Sequence, residues 1–86
     1  MSESHFNQDL ISSAGGGDLP LVRLLLEKQV DVNTQNSEGY TALMRAATFG
    51  NLDVVKCLLG NQANIDSRDN NGFTALMFSA NKGHLE

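Results

Sequence analysis

The stretch G-Y-T-A-L-M-R-A-A-T-F-G at residues 39–50 decides the fold, because it returns as G-F-T-A-L-M-F-S-A-N-K-G at residues 72–83. The two copies align without a gap at an offset of 33 residues, and seven of the twelve positions are identical. A fixed period of this length is the sequence signature of a repeat architecture. The sequence therefore predicts stacked repeat units.

Each copy of this stretch predicts a short helix with a defined start and end. Thr41 and Thr74 stand at the N-cap position, where a threonine hydroxyl accepts hydrogen bonds from backbone N–H groups of the first helical turn. Gly50 and Gly83 follow the helices, and a glycine in the left-handed conformation commonly ends an α-helix. The face between cap and glycine carries mostly small residues, which let a helix approach its neighbours closely.

A second helix is predicted after each of these turns. Residues 18–27 read D-L-P-L-V-R-L-L-L-E, with Asp18 as a cap and Pro20 in the first turn, where no backbone N–H is required. Leu21 and Leu24 widen the apolar arc beyond one stripe, so we expect this helix to be covered on more than one side. Residues 51–59 repeat the pattern, with Cys57 at the position of Leu24 and therefore predicted to be a small core residue.

Each second helix is followed by a polar segment, at residues 28–38 and 61–71. The segments open with apolar residues at alternate positions, Val30 and Val32 in one and Ala63 and Ile65 in the other. This spacing predicts a short extended stretch with two buried side chains. The rest of each segment is rich in Asn, Asp, Ser and Gly, which are the residues of turns.

The same register reaches back over the N-terminal part, where Leu10 aligns with Leu43 and Ala14 with Ala47. Residues 1–7 are predicted to form a polar tail, and the glycines at residues 15–17 are expected to end the first short helix. A phosphate-binding loop is the alternative for these glycines. It would need a preceding strand and a following Lys-Ser or Lys-Thr pair, and the sequence has neither.

Composition argues against several classes of function. The net charge of −4 and the pI of about 4.9, with six scattered Lys and Arg residues, argue against nucleic-acid binding, which requires a concentrated basic face. No apolar run approaches the roughly 18 residues of a membrane span. The first residues show no signal-peptide pattern, and a single cysteine cannot form an intramolecular disulfide. We therefore expect an intracellular, reducing location, the cytoplasm or the nucleus.

The sequence offers no constellation for catalysis or metal binding. His5, Cys57 and His84 lack metal-ligand spacing, and no Ser-His-Asp or Cys-His set can be placed. A calcium loop in D-S-R-D-N-N-G fails, because with Gly72 at its sixth position the twelfth would be Phe78, where a carboxylate is required. The sequence predicts no enzyme, cofactor or metal site.

Taken together, the pattern resembles the ankyrin repeat family. The family's 33-residue unit is built around Gly-x-Thr-Pro-Leu-His, Ala-Ala, Gly, Val-x-x-Leu-Leu and Gly-Ala-Asp-Val-Asn. Residues 39–44 and 72–77 match the first part, and residues 18–33, 51–59 and 63–66 match the second. The resemblance covers residues 8–86. It implies an all-α repeat fold, an ankyrin-repeat solenoid of helix-turn-helix units joined by β-hairpin-like loops.

The resemblance also implies a division into repeats: an N-terminal capping repeat at residues 8–38, a central repeat at 39–71, and a truncated repeat at 72–86 with its first helix only. Repeat proteins draw stability from interfaces between neighbours and usually need about three units. We therefore expect an N-terminal fragment that is marginally stable or self-associates, with Leu43, Leu58, Leu59 and Leu76 exposed near the uncapped end.

Two departures from the family pattern have structural consequences. Both copies have Ala for Pro and Met for His, so the family's Thr-to-His hydrogen bond is absent. Gln29 and Gln62 stand where the family usually has a helix-ending glycine. If these positions are left-handed, each glutamine costs about 1 kcal/mol of stability.

The family resemblance implies a non-catalytic protein–protein interaction scaffold or adaptor that binds a protein partner on its concave face, formed by loop tips and first helices. The alternative is an N-terminal targeting or autoinhibitory module of a larger protein that carries an enzyme, channel or regulatory domain.

On this sequence the partner-binding positions are Ser37, Glu38, Tyr40, Arg45, Thr48, Phe49, Asn70, Asn71, Phe73, Asn81 and Lys82. Aromatic residues supply much of the binding energy at interfaces; for Tyr40 and Phe73, packing over the loop is the alternative role.

Overall fold

The computed structural model describes residues 3–81, with side chains described for residues 6–80. Five α-helices follow one another in this range, and it contains no β-strand. The helices are α1 (Glu3–Gly16), α2 (Leu19–Glu27), α3 (Ala42–Thr48), α4 (Leu52–Gly60) and α5 (Ala75–Asn81). The prediction of an all-α repeat fold is confirmed.

The helices form two layers. Helices α1, α3 and α5 pack side by side in chain order, while α2 packs against α1 and α4 packs against α3. The buried core lies between the layers and is built from apolar residues of α1 to α4, with Ala75 from α5. The largest of its fully buried side chains are Leu10, Met44 and Leu58. Each unit therefore buries its apolar face against the next one.

The predicted caps are formed. The hydroxyl of Thr41 accepts from the backbone N–H of Met44 at 3.2 Å, and that of Thr74 accepts from Met77 at 3.4 Å. The carboxylate of Asp18 accepts from the N–H of Leu21 at 3.2 Å. The sulfur of Met44 accepts from the backbone N–H of Thr41 at 3.4 Å, so a weak acceptor closes the cap.

A side-chain acceptor at the same position of each repeat shapes the loop tips. The amide oxygen of Asn36 accepts from the backbone N–H groups of Glu38 and Tyr40, both at 3.0 Å. The carboxylate of Asp69 accepts from Asn71 at 2.9 Å and from Phe73 at 2.8 Å. These bonds close two tight, hairpin-like turns, at residues 36–40 and 69–73.

The two turns are also bonded to each other. The backbone N–H of Asn70 donates to the carbonyl of Glu38 at 3.1 Å, and its side-chain amide donates to the carbonyl of Ser37 at 2.8 Å. The side-chain amide of Gln35 donates to the carbonyl of Arg68 at 2.9 Å. The loop tips are therefore held in register by polar contacts, beyond the apolar core.

The N-terminal helix is longer than predicted. α1 begins at Glu3, within the stretch for which the sequence predicts a polar tail, since residues 3–14 contain no proline or glycine to stop the helix. At the other end, α1 continues through Gly16, so only Gly17, with φ of 75°, takes the left-handed conformation. The glycine-rich segment is thus mostly helical.

Burial differs from the expectation at several leucines. Leu43 and Leu58 are 2% and 0% exposed, so their predicted exposure is wrong: both lie in the core between neighbouring helices. Leu76 and Leu59 are 56% and 40% exposed, as predicted. Position decides the difference, because Leu76 aligns with Leu43 but lies on α5, at the edge of the described fold.

Three residues predicted to be covered are exposed instead. Leu21 and Leu24 of α2 are 36% and 48% exposed, although α2 packs against both α1 and α4. Ile65, the second apolar residue of its loop, is exposed, whereas its counterpart Val32 packs against the core. An apolar pattern wider than one stripe therefore does not mean burial in these short helices.

Gln29 and Gln62 both adopt the left-handed conformation, with φ of 65° and 70°. Their backbone N–H groups donate to the carbonyls of Leu26 and Leu59, both at 3.0 Å. A residue with a Cβ atom is strained in this region by about 1–2 kcal/mol, which a glycine avoids. The left-handed conformation, on which the expected cost of each glutamine depends, is therefore present at both positions.

We expect Gln29→Gly and Gln62→Gly each to raise the free energy of unfolding by about 1 kcal/mol, since relief of strain exceeds the added freedom of the unfolded chain. Urea unfolding followed by circular dichroism measures the change. Lys28→Gly is the matched control, because Lys28 has φ of −85° and carries no such strain. Equal or lower stability of the two Gln variants relative to the wild type would contradict the prediction.

Candidate functional site

Loop tips and α3 place most of the predicted partner-binding residues on one side of the molecule. Ser37 and Glu38 lie exposed at the first tip, and Asn70 and Asn71 at the second. Tyr40 and Phe73 directly follow these tips. Arg45, Thr48 and Phe49 belong to α3 and its C-cap. Lys82 lies outside the described residues, and so does the side chain of Asn81.

Three aromatic rings form a row between the two turns. The rings of Tyr40 and Phe78 meet edge to face, with centroids 5.7 Å apart and planes at 84°. Phe73 meets Phe78 in the same way, at 5.9 Å and 89°. Such pairs are the favoured geometry of aromatic side chains. Tyr40 is half-buried, whereas Phe73 is exposed.

Arg45 extends the row on the other side of Tyr40. Its guanidinium carbon lies 5.4 Å from the centre of the Tyr40 ring and 5.0 Å from the centre of the Phe49 ring. Both distances are within the range of a cation–π interaction. Phe73, Phe78, Tyr40, Arg45 and Phe49 therefore form one connected chain of contacts, which we call the aromatic row.

A groove of about 550 Å³ borders the aromatic row, and we call it the concave groove. Its wall on the α3 side is made by Arg45 and Phe49, and the first turn adds Asn36, Glu38 and Tyr40. Its α1 side is lined by Ile11, Ser12, Gly15 and Gly16. The groove is open and has both polar and charged groups along it, which suits a bound segment of protein.

The space in the concave groove comes from small residues on α1. At the 33-residue offset, Ser12 occupies the position of Arg45, and Gly16 that of Phe49. The first repeat thus has a hydroxyl and a bare backbone where the central repeat has the long side chain of Arg45 and the ring of Phe49. Sequence reasoning missed Ser12, Gly16 and the aromatic contribution of Phe78. Comparing the variable positions of all three repeats would have found them.

Not every predicted residue joins the row. Asn70 uses its backbone N–H and its side-chain amide to hold the preceding turn, so it acts in the stacking of the loops. The hydroxyl of Thr48 donates to the carbonyl of Met44 at 2.8 Å, within α3. Asn70, Ser37 and Thr48 therefore make bonds within the fold, through the Asn70 amide, the Ser37 carbonyl and the Thr48 hydroxyl.

A second, apolar groove of about 170 Å³ lies where α3, α4 and α5 meet, and we call it the end groove. Its walls include exposed side chains, Leu52, Ile65 and Leu76. The equivalents of Leu52 and Leu76 one repeat earlier, Leu19 and Leu43, are more buried. An edge with this much apolar surface is a candidate contact surface.

Groups for other kinds of chemistry are not assembled in the described residues. Among them, no three His, Cys, Asp or Glu side chains come close enough to hold a metal ion. Cys57 is a half-buried free thiol packed at the core, whereas the side chain of His5 and all of His84 lie outside the described part. None of the helices in that part is long and apolar enough to cross a membrane.

A protein-family model matches most of the chain. The family model for ankyrin repeats (3 copies) matches residues 10–86, which include α2 to α5 and the second half of α1. No curated protein matches the chain.

Proposed function

Because this chain belongs to the ankyrin repeat family, whose repeats are generally protein–protein interaction modules, we propose that it is a non-catalytic scaffold or adaptor that binds a protein partner on its concave face. The observation that carries the proposal is the aromatic row beside the concave groove. A partner segment in this groove contacts rings already held by their neighbours, so little side-chain entropy is lost on binding.

The proposed contact residues are those of the concave side: Ser37, Glu38, Tyr40, Arg45, Thr48, Phe49, Asn70, Asn71, Phe73, Asn81 and Lys82. Within this set the aromatic residues and Arg45 carry most of the energy, since Tyr, Phe and Arg are enriched at the buried centres of interfaces. Phe49 is 52% exposed, so it has apolar area left to bury on binding. The exposed amides at the tips form the polar rim.

The variant Tyr40→Ala, Phe49→Ala, Phe73→Ala is expected to lose the partner. Removing hot-spot side chains costs about 2 kcal/mol or more each, which weakens binding by more than tenfold per residue. The measurement is quantitative affinity capture from cell lysate with wild-type and variant proteins, immobilised at equal density. Circular dichroism establishes that the variant remains folded, because Tyr40 also packs on Phe78.

The matched control is Arg23→Ala, Glu27→Ala, Lys56→Ala, which changes three exposed side chains on the outer helices α2 and α4. A protein retained by the wild type and by this control, and lost with the aromatic variant, identifies the concave face as the binding surface. Capture of the same set of proteins by all three forms would remove the proposed site.

A second candidate function is that of a targeting or autoinhibitory ankyrin module within a larger protein that carries an enzyme, channel or regulatory domain. The end groove favours it, since a further element packed on α5 would cover Leu52, Ile65 and Leu76. A longer protein that contains this chain and binds a hydrophobic dye at Leu52, Ile65 and Leu76 as strongly as the chain alone would argue against this candidate.

The end groove also supports self-association of the chain. A second copy brings an identical apolar edge, so the two edges cover each other in a symmetric contact in which each groove receives the partner's leucines. About 25 cal/mol is gained for each Å² of apolar surface removed from water. Partly exposed leucines at this edge therefore favour a dimer at high protein concentration.

A further inference from the structure

The guanidinium of Arg45 has hydrogen-bond donors that the fold does not use. Within the described residues it makes no ion pair and donates no hydrogen bond; its contacts are with the Tyr40 and Phe49 rings. A ring over a guanidinium contacts its face, whereas the five N–H donors point outward in its plane. The two rings therefore lie against the guanidinium, and its N–H donors have no partner among the described residues.

Arg68 shows what an arginine with a structural role does in this fold. Its guanidinium donates to the carbonyl of Gly72 at 2.9 Å and so closes the second turn. Gln35 has the equivalent position and bond in the first turn, donating to the carbonyl of Gly39 at 2.8 Å. Arg45 makes no bond of this kind, although its side chain is half-buried.

The backbone of α1 passes close to the Arg45 side chain. A Cβ atom built on Gly15 would lie 3.5 Å from the Cβ and 3.7 Å from the Nε of Arg45. At Gly16, the same construction meets nothing within 4 Å. A segment in the concave groove therefore lies over bare helix backbone, with the Arg45 guanidinium beside it.

We infer that the concave groove binds an extended segment of the protein partner through one Asp or Glu side chain, whose carboxylate accepts hydrogen bonds from the guanidinium of Arg45. The planar guanidinium matches a carboxylate with two parallel hydrogen bonds, which are about twice as strong as bonds between neutral groups. The inference rests on the proposed function and adds the chemistry of the partner.

Glu38 limits the charge that the groove accepts. It lines the same groove from the first turn, and no ion pair joins it to Arg45 within the described residues. A second carboxylate in the bound segment meets this negative charge and the net charge of −4 of the whole chain. The groove therefore selects a single acidic residue in an otherwise neutral or basic segment over a polyacidic one.

Titration of the ¹⁵N-labelled protein with blocked peptides tests this inference. The probes are N-acetyl-Gly-Glu-Gly-amide, its Gln and Lys counterparts, and N-acetyl-Gly-Gly-Gly with a free C-terminal carboxylate. We expect the Glu peptide to shift the Arg45 Nε–H signal and the amides of Gly15 and Gly16. It should bind about tenfold more tightly than the Gln peptide, and less tightly as salt is added.

Three variants locate the interaction. Arg45→Gln is expected to reduce Glu-peptide binding to the level of the Gln peptide, and Arg45→Lys to recover only part of it, because an ammonium lacks the planar pair of donors. Glu38→Gln is expected to tighten Glu-peptide binding about twofold by removing a like charge. Unchanged amide signals of α2 and α4 show that each variant keeps its fold.

Equal binding of the Glu and Gln peptides, or tighter binding of the Lys peptide, overturns the inference. Equal or tighter binding of the free C-terminal carboxylate overturns the assignment to an acidic side chain. These outcomes are separable from the failure of the proposed function, since a partner lost with the aromatic variant supports the concave face whether or not Arg45 holds a carboxylate.

Discussion

Gly39→Ala is expected to lower the free energy of unfolding by about 3 kcal/mol, through strain and overpacking together. Gly39 has φ of 85°, a conformation that strains any residue with a Cβ atom. A Cβ atom at this position would also lie 2.7 Å from the backbone nitrogen of Asn70 and 2.9 Å from the Cα of Asp69. Both neighbours are backbone atoms of the next turn, which cannot move without breaking the bonds between the turns.

Gly72→Ala is the matched control for this substitution. Gly72 has the same φ of 85° and the same place in its turn, but nothing lies within 4 Å of its built Cβ atom. Its substitution is therefore expected to cost the strain alone, about 1 kcal/mol. Chemical unfolding of both variants separates the conformational cost from the cost of crowding the neighbouring repeat.

The decisive quantity is the difference between the two alanine variants. Equal losses of stability at Gly39 and Gly72 would mean that the two turns do not approach each other as closely as the structure shows. For a chain this small the margin of stability is thin, so we expect Gly39→Ala to be largely unfolded at room temperature.

Self-association through the end groove is the second large expected effect. In sedimentation velocity, the wild-type chain is expected to shift from monomer towards dimer as its concentration rises. The double substitution Leu52→Ser, Leu76→Ser is expected to keep it monomeric, because burying a leucine side chain contributes about 1.5–3 kcal/mol. Leu52 and Leu76 are exposed surface residues, so their replacement leaves the core unchanged.

Leu24→Ser is the control for this experiment, since Leu24 is an exposed leucine of α2 that does not line the end groove. It is expected to associate like the wild type. A wild-type chain that stays monomeric at the highest concentration, with an unfolding free energy above about 8 kcal/mol, would contradict both the association and the marginal stability expected for so few repeats.

Local chemistry explains which parts of the fold were predictable from the sequence. The caps at Thr41 and Thr74 and the left-handed glutamines depend on a few neighbouring residues, and the 33-residue period shows them twice. The length of α1 was less predictable, because its first residues carry no periodic apolar pattern and no breaker. The first residue of a helix is difficult to predict from a single sequence when no capping residue or helix breaker marks it.

Burial and the concave groove depend on which units are adjacent. Leu43 and Leu76 are the same residue in the same local sequence, yet one is in the core and the other is exposed, because α5 is at the edge of the described fold. The concave groove exists because Ser12 and Gly16 have small side chains or none. A small residue does not by itself indicate a binding site in a sequence. Only the comparison between repeats, together with the packing of α1 on α3, shows the space they leave.

One position of the repeat gives the concave face a direction. Ser12, Arg45 and Phe78 succeed each other at intervals of 33 residues, so a chain lying along the face meets a hydroxyl, then a fixed positive charge, then an aromatic edge. The same segment bound in the opposite orientation meets these three groups in reverse order, so its two ends face the wrong partners, Ser12 and Phe78. Although the repeats are similar in sequence, the concave face therefore distinguishes the two possible N-to-C orientations of a bound peptide segment.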